Sequence, residues 1–211
     1  MKTKHLVEAL VADRAAGRKP ISTSLVLALA LGGVVSLVLF VVDLGVRADI
    51  EPALATWRFD LKVGMVLAAL VLAFGLCLEC ARPDPGGRSV RRLLPLAVLA
   101  VLAIAVELVI VPKATWGTRL VGSNSLVCLS AIPMLSIAPL AAVLAILRRG
   151  APASPALAGA AAGLLAAASG ATLYAFHCFD DSPLFVVTWY SLATIPVVLA
   201  GALVGRRLLR W

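Results

Sequence analysis

Six apolar stretches run through the chain, separated by polar connections of seven to eighteen residues. Each is long enough to cross a bilayer core about 30 Å thick, which takes about 20 residues of helix. The pattern predicts spans over 22–42, 61–80, 93–111, 126–147, 156–176 and 184–205, and thus an all-α, polytopic six-transmembrane-helix bundle. Ahead of them, residues 4–15 repeat apolar positions at helical spacing. Leu6, Val7, Leu10 and Val11 share one side of the wheel, with His5, Glu8 and Ala12 away from it. Twelve residues make a marginal helix in water, so this one is expected to fold on lipid or on a partner. Gly17 and Pro20 end it. The chain therefore divides into a tail, 1–20, and a membrane domain, 21–211.

Details within the spans predict packing. Gly159 and Gly163, and Gly201 and Gly205, form small-xxx-small steps. With Ala167 and Gly170 they give the fifth span a face that another helix can approach closely. Pro133 and Pro139 should bend the fourth span, and Pro196 the sixth. In the first loop, 43–60, Trp57 and Phe59 are placed as interfacial anchors.

Composition agrees with this pattern. The 211 residues are 62% hydrophobic and 14% charged, with a mean hydropathy of +1.03, which excludes a soluble domain of this length. The net charge of +8 would suit nucleic acid, but its placement argues for topology. Fourteen of the 19 Lys and Arg fall in the tail, the second and fourth connections and the segment after the sixth span. Positive residues stay on the cytoplasmic side, so both termini are expected to be cytoplasmic and no direct nucleic-acid contact is expected. The first span follows too long a polar lead, and lacks a small-residue cleavage site, to read as a removed signal peptide.

Few residues invite chemistry. Glu107 lies roughly 6 Å below the outer end of the third span at 1.5 Å per residue. It is either an intramembrane functional acid or a headgroup-level acid paired with Lys113 or Arg119. Glu79, near Arg82, reads as structural. Cys77 and Cys80 make a C-x-x-C at the inner end of the second span, where two small apolar thiols are expected. Cys128 and Cys178 belong to the outer side, where disulfides persist. A disulfide, a redox-sensing pair and a metal site that adds His177, with Asp180 and Asp181 nearby, are all open. No nucleophile–base pair, phosphate loop or zinc-protease motif is present, so no enzyme is expected. A small transporter or channel using Glu107, with the prolines as hinges, is the alternative; the lack of repeated broken helices counts against it.

Several segments carry a resemblance: 1–13, 148–152 leading into the Ala/Gly-rich fifth span, His177-Cys178 followed by Asp181-Ser182, Trp189-Tyr190, and the ending 205–211. Along its whole length the chain resembles the NrsF-type proteins, six-span bacterial negative regulators of an extracytoplasmic-function sigma factor. The resemblance implies an inner-membrane anti-sigma factor with no resident cofactor. Its tail would hold the sigma factor through Leu6, Val7, Leu10 and Val11. Its paired cysteines, matched here by Cys128 and Cys178, would sense stress, with a divalent heavy metal as a transient inducer. Thr3, Lys4 and His5 depart from the pattern, which would carry more acid.

Overall fold

The computed structural model describes residues 20–83 and 89–210, together with His5. The helix expected over 4–15, with Leu6, Val7, Leu10 and Val11, lies outside the described residues apart from His5, which is helical and exposed. The described residues are all-helical, without strands. We number the helices α1 (Ile21–Leu39), α2 (Ile50–Leu54), α3 (Trp57–Cys80), α4 (Leu94–Ile110), α5 (Trp116–Val121), α6 (Ser125–Leu147), α7 (Pro155–Ala175) and α8 (Ser191–Leu208). With their flanking turns they give six helical segments long and apolar enough to cross a membrane: Ile21–Leu44, Trp57–Cys80, Arg91–Ile110, Lys113–Leu147, Pro155–Ala175 and Pro183–Leu208.

The second span begins earlier than its hydropathy indicates. Thr56 caps α3, its hydroxyl accepting from Phe59 N at 3.4 Å, and this cap draws the polar residues Arg58 and Asp60 into the helix. The helical turn then directs Phe59 inward, where it is 1% exposed; it is a core residue and not an interfacial anchor. Trp57 remains exposed, with the Arg58 guanidinium 4.8 Å over its ring. Two short helices, α2 and α5, fill connections that carry no periodic signal.

Helix α7 is the centre of the bundle, with α3, α6 and α8 packed around it and α1 packed on α6. The small residues explain why. A Cβ on Gly163 would lie 2.6 Å from Val197 O, one on Gly205 would lie 2.7 Å from Pro155 O, and one on Gly159 would meet Gly201 O. Both small-xxx-small steps are thus used against each other within the chain. Gly170 and Ala167 bring α6 and α8 in as well. Only 11% of the central stretch of the third span is buried, against 61% for the fifth. Val98, Val101, Leu102 and Val109 on α4 and Leu31, Val34, Val38 and Val41 of the first span lie exposed, as suits lipid contact.

Two core clusters lie at opposite ends. The proximal cluster, near Ile21 and Leu209 at the two ends of the bundle's chain path, contains Leu25, Cys77, Leu147, Leu165 and Leu209, with Cys80 packed against it. The distal cluster contains Phe40, Cys128, Ile132, Tyr174, Cys178, Phe185 and Tyr190. Two π-helical turns, Phe40–Leu44 and Val186–Tyr190, border it.

The prolines of α6 are absorbed without breaking the helix, which runs from Ser125 to Leu147. Pro139 has no N–H to offer Leu135 O one turn back. Ser36 of α1 supplies the missing donor, its Oγ lying 2.6 Å from Leu135 O. Gly32, one turn before Ser36, lets α1 reach this carbonyl: a Cβ there would lie 2.6 Å from Pro139 Cα and 2.8 Å from Pro139 N. Neighbouring Gly33 has nothing within 4 Å of its Cβ position. Gly32→Ala is therefore expected to lower stability by about 1–3 kcal/mol through overpacking, whereas Gly33→Ala leaves it unchanged or slightly raised. Thermal melts of the two variants in one detergent check this; equal melting temperatures would dismiss the close α1–α6 seam.

Candidate functional site

The distal end of the bundle carries most of the polar chemistry, and three groups of the α7–α8 connection organise it. The first is the carbonyl of Cys178. It accepts from Lys62 Nζ at 2.8 Å and Arg47 Nη1 at 3.0 Å. The second is Asp181, whose carboxylate receives Arg47 Nη1 on both oxygens at 2.9 Å and pairs through Oδ1 with Lys62. The Lys62 side chain is fully buried and that of Arg47 is 4% exposed. Both cations also lie over aromatic faces: Lys62 Nζ is 5.1 Å from the Phe59 centroid, and the Arg47 guanidinium is 5.0 Å from that of Phe179. Arg47 turns its remaining edge to Asp49 at 2.7 and 2.8 Å, and this pairing holds the half-exposed Asp49 carboxyl below the usual carboxylate range. Thus the segment that follows the distal end of α1 and the first turns of α3 are fastened to one loop.

The third element is Asp180, which caps α6. Its Oδ2 accepts from Ser123 N at 3.0 Å and Asn124 N at 2.9 Å, placing a carboxylate at a helix N-terminus. Gly122 makes the approach possible. Its φ of +60° suits glycine, and a Cβ would lie 2.7 Å from Asp180 Cγ.

Glu107 forms a separate centre. It is completely buried, and accepts from Arg58 Nε at 3.1 Å, Arg119 Nη1 at 3.0 Å and Ser182 Oγ at 3.2 Å. Of the expected partners, Arg119 is present and Arg58 is added from α3. A carboxylate held on three sides this way ties α4 to α3, to the α5 segment and to the start of the sixth span. Such saturation suits a structural clamp better than an ion pathway. Above it lies a cleft of about 440 Å³ lined by Arg58, Thr118, Arg119, Asp180, Asp181 and Ser182, among others. At the proximal end Glu79 pairs with Arg92, not with the side chain of Arg82.

Cys128 and Cys178 come together in the distal cluster as free thiols, both completely buried. Cys178 N bonds Tyr174 O at 3.0 Å, and its Sγ lies 3.8 Å from Asp180 O. Burial pushes the Cys178 thiol above its usual range, and the nearby Lys62 charge opposes that shift. Both thiols are thus shielded from solvent. His177 points elsewhere, its Nδ1 lying 3.0 Å from Gly45 O. Among the described residues no group of three or more His, Cys, Asp or Glu is placed to hold a metal. Cys77 and Cys80 pack in the proximal core, away from this site.

Sequence reasoning gave no role in the site to Arg47, Lys62, Arg58 and Tyr174, and met Ser182 and Tyr190 only as parts of motifs. One signal was available: Lys62 stands within an apolar span. Asp181→Asn should lower stability by about 3–5 kcal/mol, because a buried ammonium loses its counter-charge. Adding Lys62→Met should recover part of the loss. Melting of the two variants in detergent tests this, and a single variant as stable as the wild type would show that the pair carries no weight.

No solved structure matches the chain. The family model "Negative regulator of sigma F" (NrsF) matches residues 10–211. The "Probable anti-sigma-F factor NrsF" of Azospira oryzae is 34% identical over 213 residues, and the "Anti-sigma-F factor NrsF" of Caulobacter vibrioides is 34% identical over 216; each alignment covers 100% of both chains. Both the family match and the full-length relatives agree with the resemblance read from the motifs: the chain belongs to the NrsF family, the negative regulators of sigma F.

Proposed function

We propose that this protein is a polytopic inner-membrane anti-sigma factor. It holds an extracytoplasmic-function sigma factor at the cytoplasmic face through residues 1–20, and releases it when an envelope, metal or redox signal reaches Cys128 and Cys178. The anti-sigma role rests on family membership and on relatives named for it. In this reading both termini are cytoplasmic, as the distribution of Lys and Arg indicates, and the distal end faces out. Leu6, Val7, Leu10 and Val11 form the apolar edge that enters a groove on the sigma factor, a helix-in-groove contact. The protein acts by sequestration and not as an enzyme.

One observation carries the coupling. The carbonyl of Cys178 and the carboxylate of Asp181, three residues on, both grip Arg47 at the outer end of the first span. That span leads back to the tail. Any change that enlarges or contracts the cysteine site moves this loop, and with it Arg47 and Lys62. Helix α1 then shifts along its seam with α6, where Ser36 and Gly32 meet Pro139. The signal needs only to favour one of two arrangements over the other, since a ligand shifts an equilibrium by its difference in affinity for the two states.

Deleting residues 4–15 is expected to raise expression of the sigma-dependent genes to that of a strain lacking the protein, with the six spans still inserted. Persistent repression in a reporter assay would remove the tail from the mechanism. Replacing both Cys128 and Cys178 by Ser should leave sigma-factor retention on solubilised membranes intact while abolishing induction. A normal inducer response in that double variant would end the sensing role.

A further inference from the structure

In the distal cleft of about 440 Å³, two guanidinium groups share one carboxylate. Arg58 meets Glu107 Oε2 with Nε and Nη2, each at 3.1 Å, and Arg119 meets Oε1 with Nη1 at 3.0 Å. Both arginines line the cleft, their side chains 27% and 37% exposed, whereas Glu107 is wholly buried. This corner therefore carries two positive charges against one negative. Arg58 Nη1 and the Nε and Nη2 of Arg119 have no acceptor among the described residues.

Asp180 lines the same cleft and has the opposite imbalance. Its Oδ2 takes the donors of Ser123 and Asn124, and its Oδ1 takes none among the described residues. It forms no ion pair there with Arg58 or Arg119. The N-terminus of α6 offsets part of its charge, as a helix end carries only about half a positive charge. Asp181, also on the cleft, is matched by Arg47 and Lys62. One cleft thus offers guanidinium N–H groups with surplus positive charge and, apart from them, a carboxylate oxygen with surplus negative charge.

A ligand that satisfies both needs an anion with several acceptor oxygens and a cation that donates. Phosphate suits planar guanidinium groups, and a primary ammonium suits Asp180 Oδ1. The volume lies within the usual range for small-molecule sites, roughly 300–1,000 Å³. Position in the fold points to the source. Trp57, Trp116 and Trp189 stand at this end of the spans, and such rings mark the headgroup level of a bilayer. Val106 and Ile110, which flank Glu107 on α4, are exposed apolar residues along which acyl chains can run.

We infer that the cleft binds the headgroup of a phospholipid that ends in a primary ammonium, as phosphatidylethanolamine does. The phosphate lies on Arg58 and Arg119, the ammonium donates to Asp180 Oδ1, and the acyl chains follow α4. A choline headgroup has the same charges, but its quaternary nitrogen has no N–H to donate. A glycerol headgroup has the phosphate alone.

For the test, the full chain in detergent is mixed with equal amounts of phosphatidylethanolamine, phosphatidylcholine and phosphatidylglycerol of identical acyl chains. Native mass spectrometry then counts the bound lipids. The ethanolamine lipid is expected to bind about tenfold more tightly than either competitor, as one charge-assisted hydrogen bond gives. Asp180→Asn keeps an oxygen that can cap α6 but removes the charge, and should bring the ethanolamine and choline lipids level. Arg119→Lys keeps a charge for Glu107 but loses the planar fork, and should weaken both zwitterionic lipids together. Equal binding of the three lipids by the wild type, or strongest binding of phosphatidylglycerol, overturns the proposal. So does an Asp180→Asn variant that retains the preference. A measurement on the wild type alone guards against loss of the α6 cap. Water-soluble glycerophosphoethanolamine should displace bound lipid at several-fold lower concentration than glycerophosphocholine, and equal displacement overturns the headgroup assignment. If glycerophosphoethanolamine binds as tightly as the lipid, the acyl chains add nothing, and a soluble zwitterion replaces the lipid as the ligand.

Discussion

A fully buried ammonium governs the distal half of this molecule. Lys62 sits in a helix that enters an apolar core, and a charge there is tolerated only with a counter-charge and a full set of acceptors. Asp181 and the Cys178 carbonyl provide both. Meeting that requirement forces the α7–α8 connection to fold back over α3. The same two acceptors also receive Arg47, so the first span is fixed by the demand that Lys62 creates. Cys178 belongs to this loop, and Cys128 packs in the same distal cluster. Chemistry at the sulfurs and the position of the first span therefore share one short piece of backbone.

The spans were legible because hydropathy alone dictates them, and the small-residue steps of the fifth and sixth spans were legible because close approach leaves few alternatives to Gly and Ala. Their starts were less so. The onset of α3 depends on the Thr56 cap, a local polar contact outside the apolar run, and it decides the orientation of Phe59, Arg58 and Lys62. Glu107 stands out as an acid in an apolar stretch, and Arg119 was within foreseeable reach. Arg58 was not, because its approach follows from the packing of α3 against α4. The common end for Cys128 and Cys178 followed from span counting. Tyr190 stood in the sequence only as part of a motif, and its burial follows from the π turn that it ends, which hydropathy does not foretell.

The α1–α6 seam shows how a sequence liability becomes a contact. Pro139 leaves Leu135 O without its helical partner, and in a bilayer such a carbonyl must be satisfied by protein. Ser36 does so from another helix, and Gly32 clears the way for it. A proline in one span thereby specifies a serine and a glycine in another more than a hundred residues away in the chain. Under the proposed function this seam is the bearing along which the first span moves.

The centrality of α7 bears on how the protein is made. Its small side chains make it the least hydropathic of the six spans and also the most buried, whereas α4 is strongly apolar and barely buried. A helix that enters lipid readily needs few neighbours; one rich in Gly and Ala gains less from lipid and more from close helix contacts. During synthesis α4 can therefore partition into the bilayer early and alone. Helix α7 settles only when α6 is already in place and α8 follows. Completion of the sixth span then becomes the step that commits the whole bundle, and a chain truncated before it would leave its central helix poorly held in the membrane.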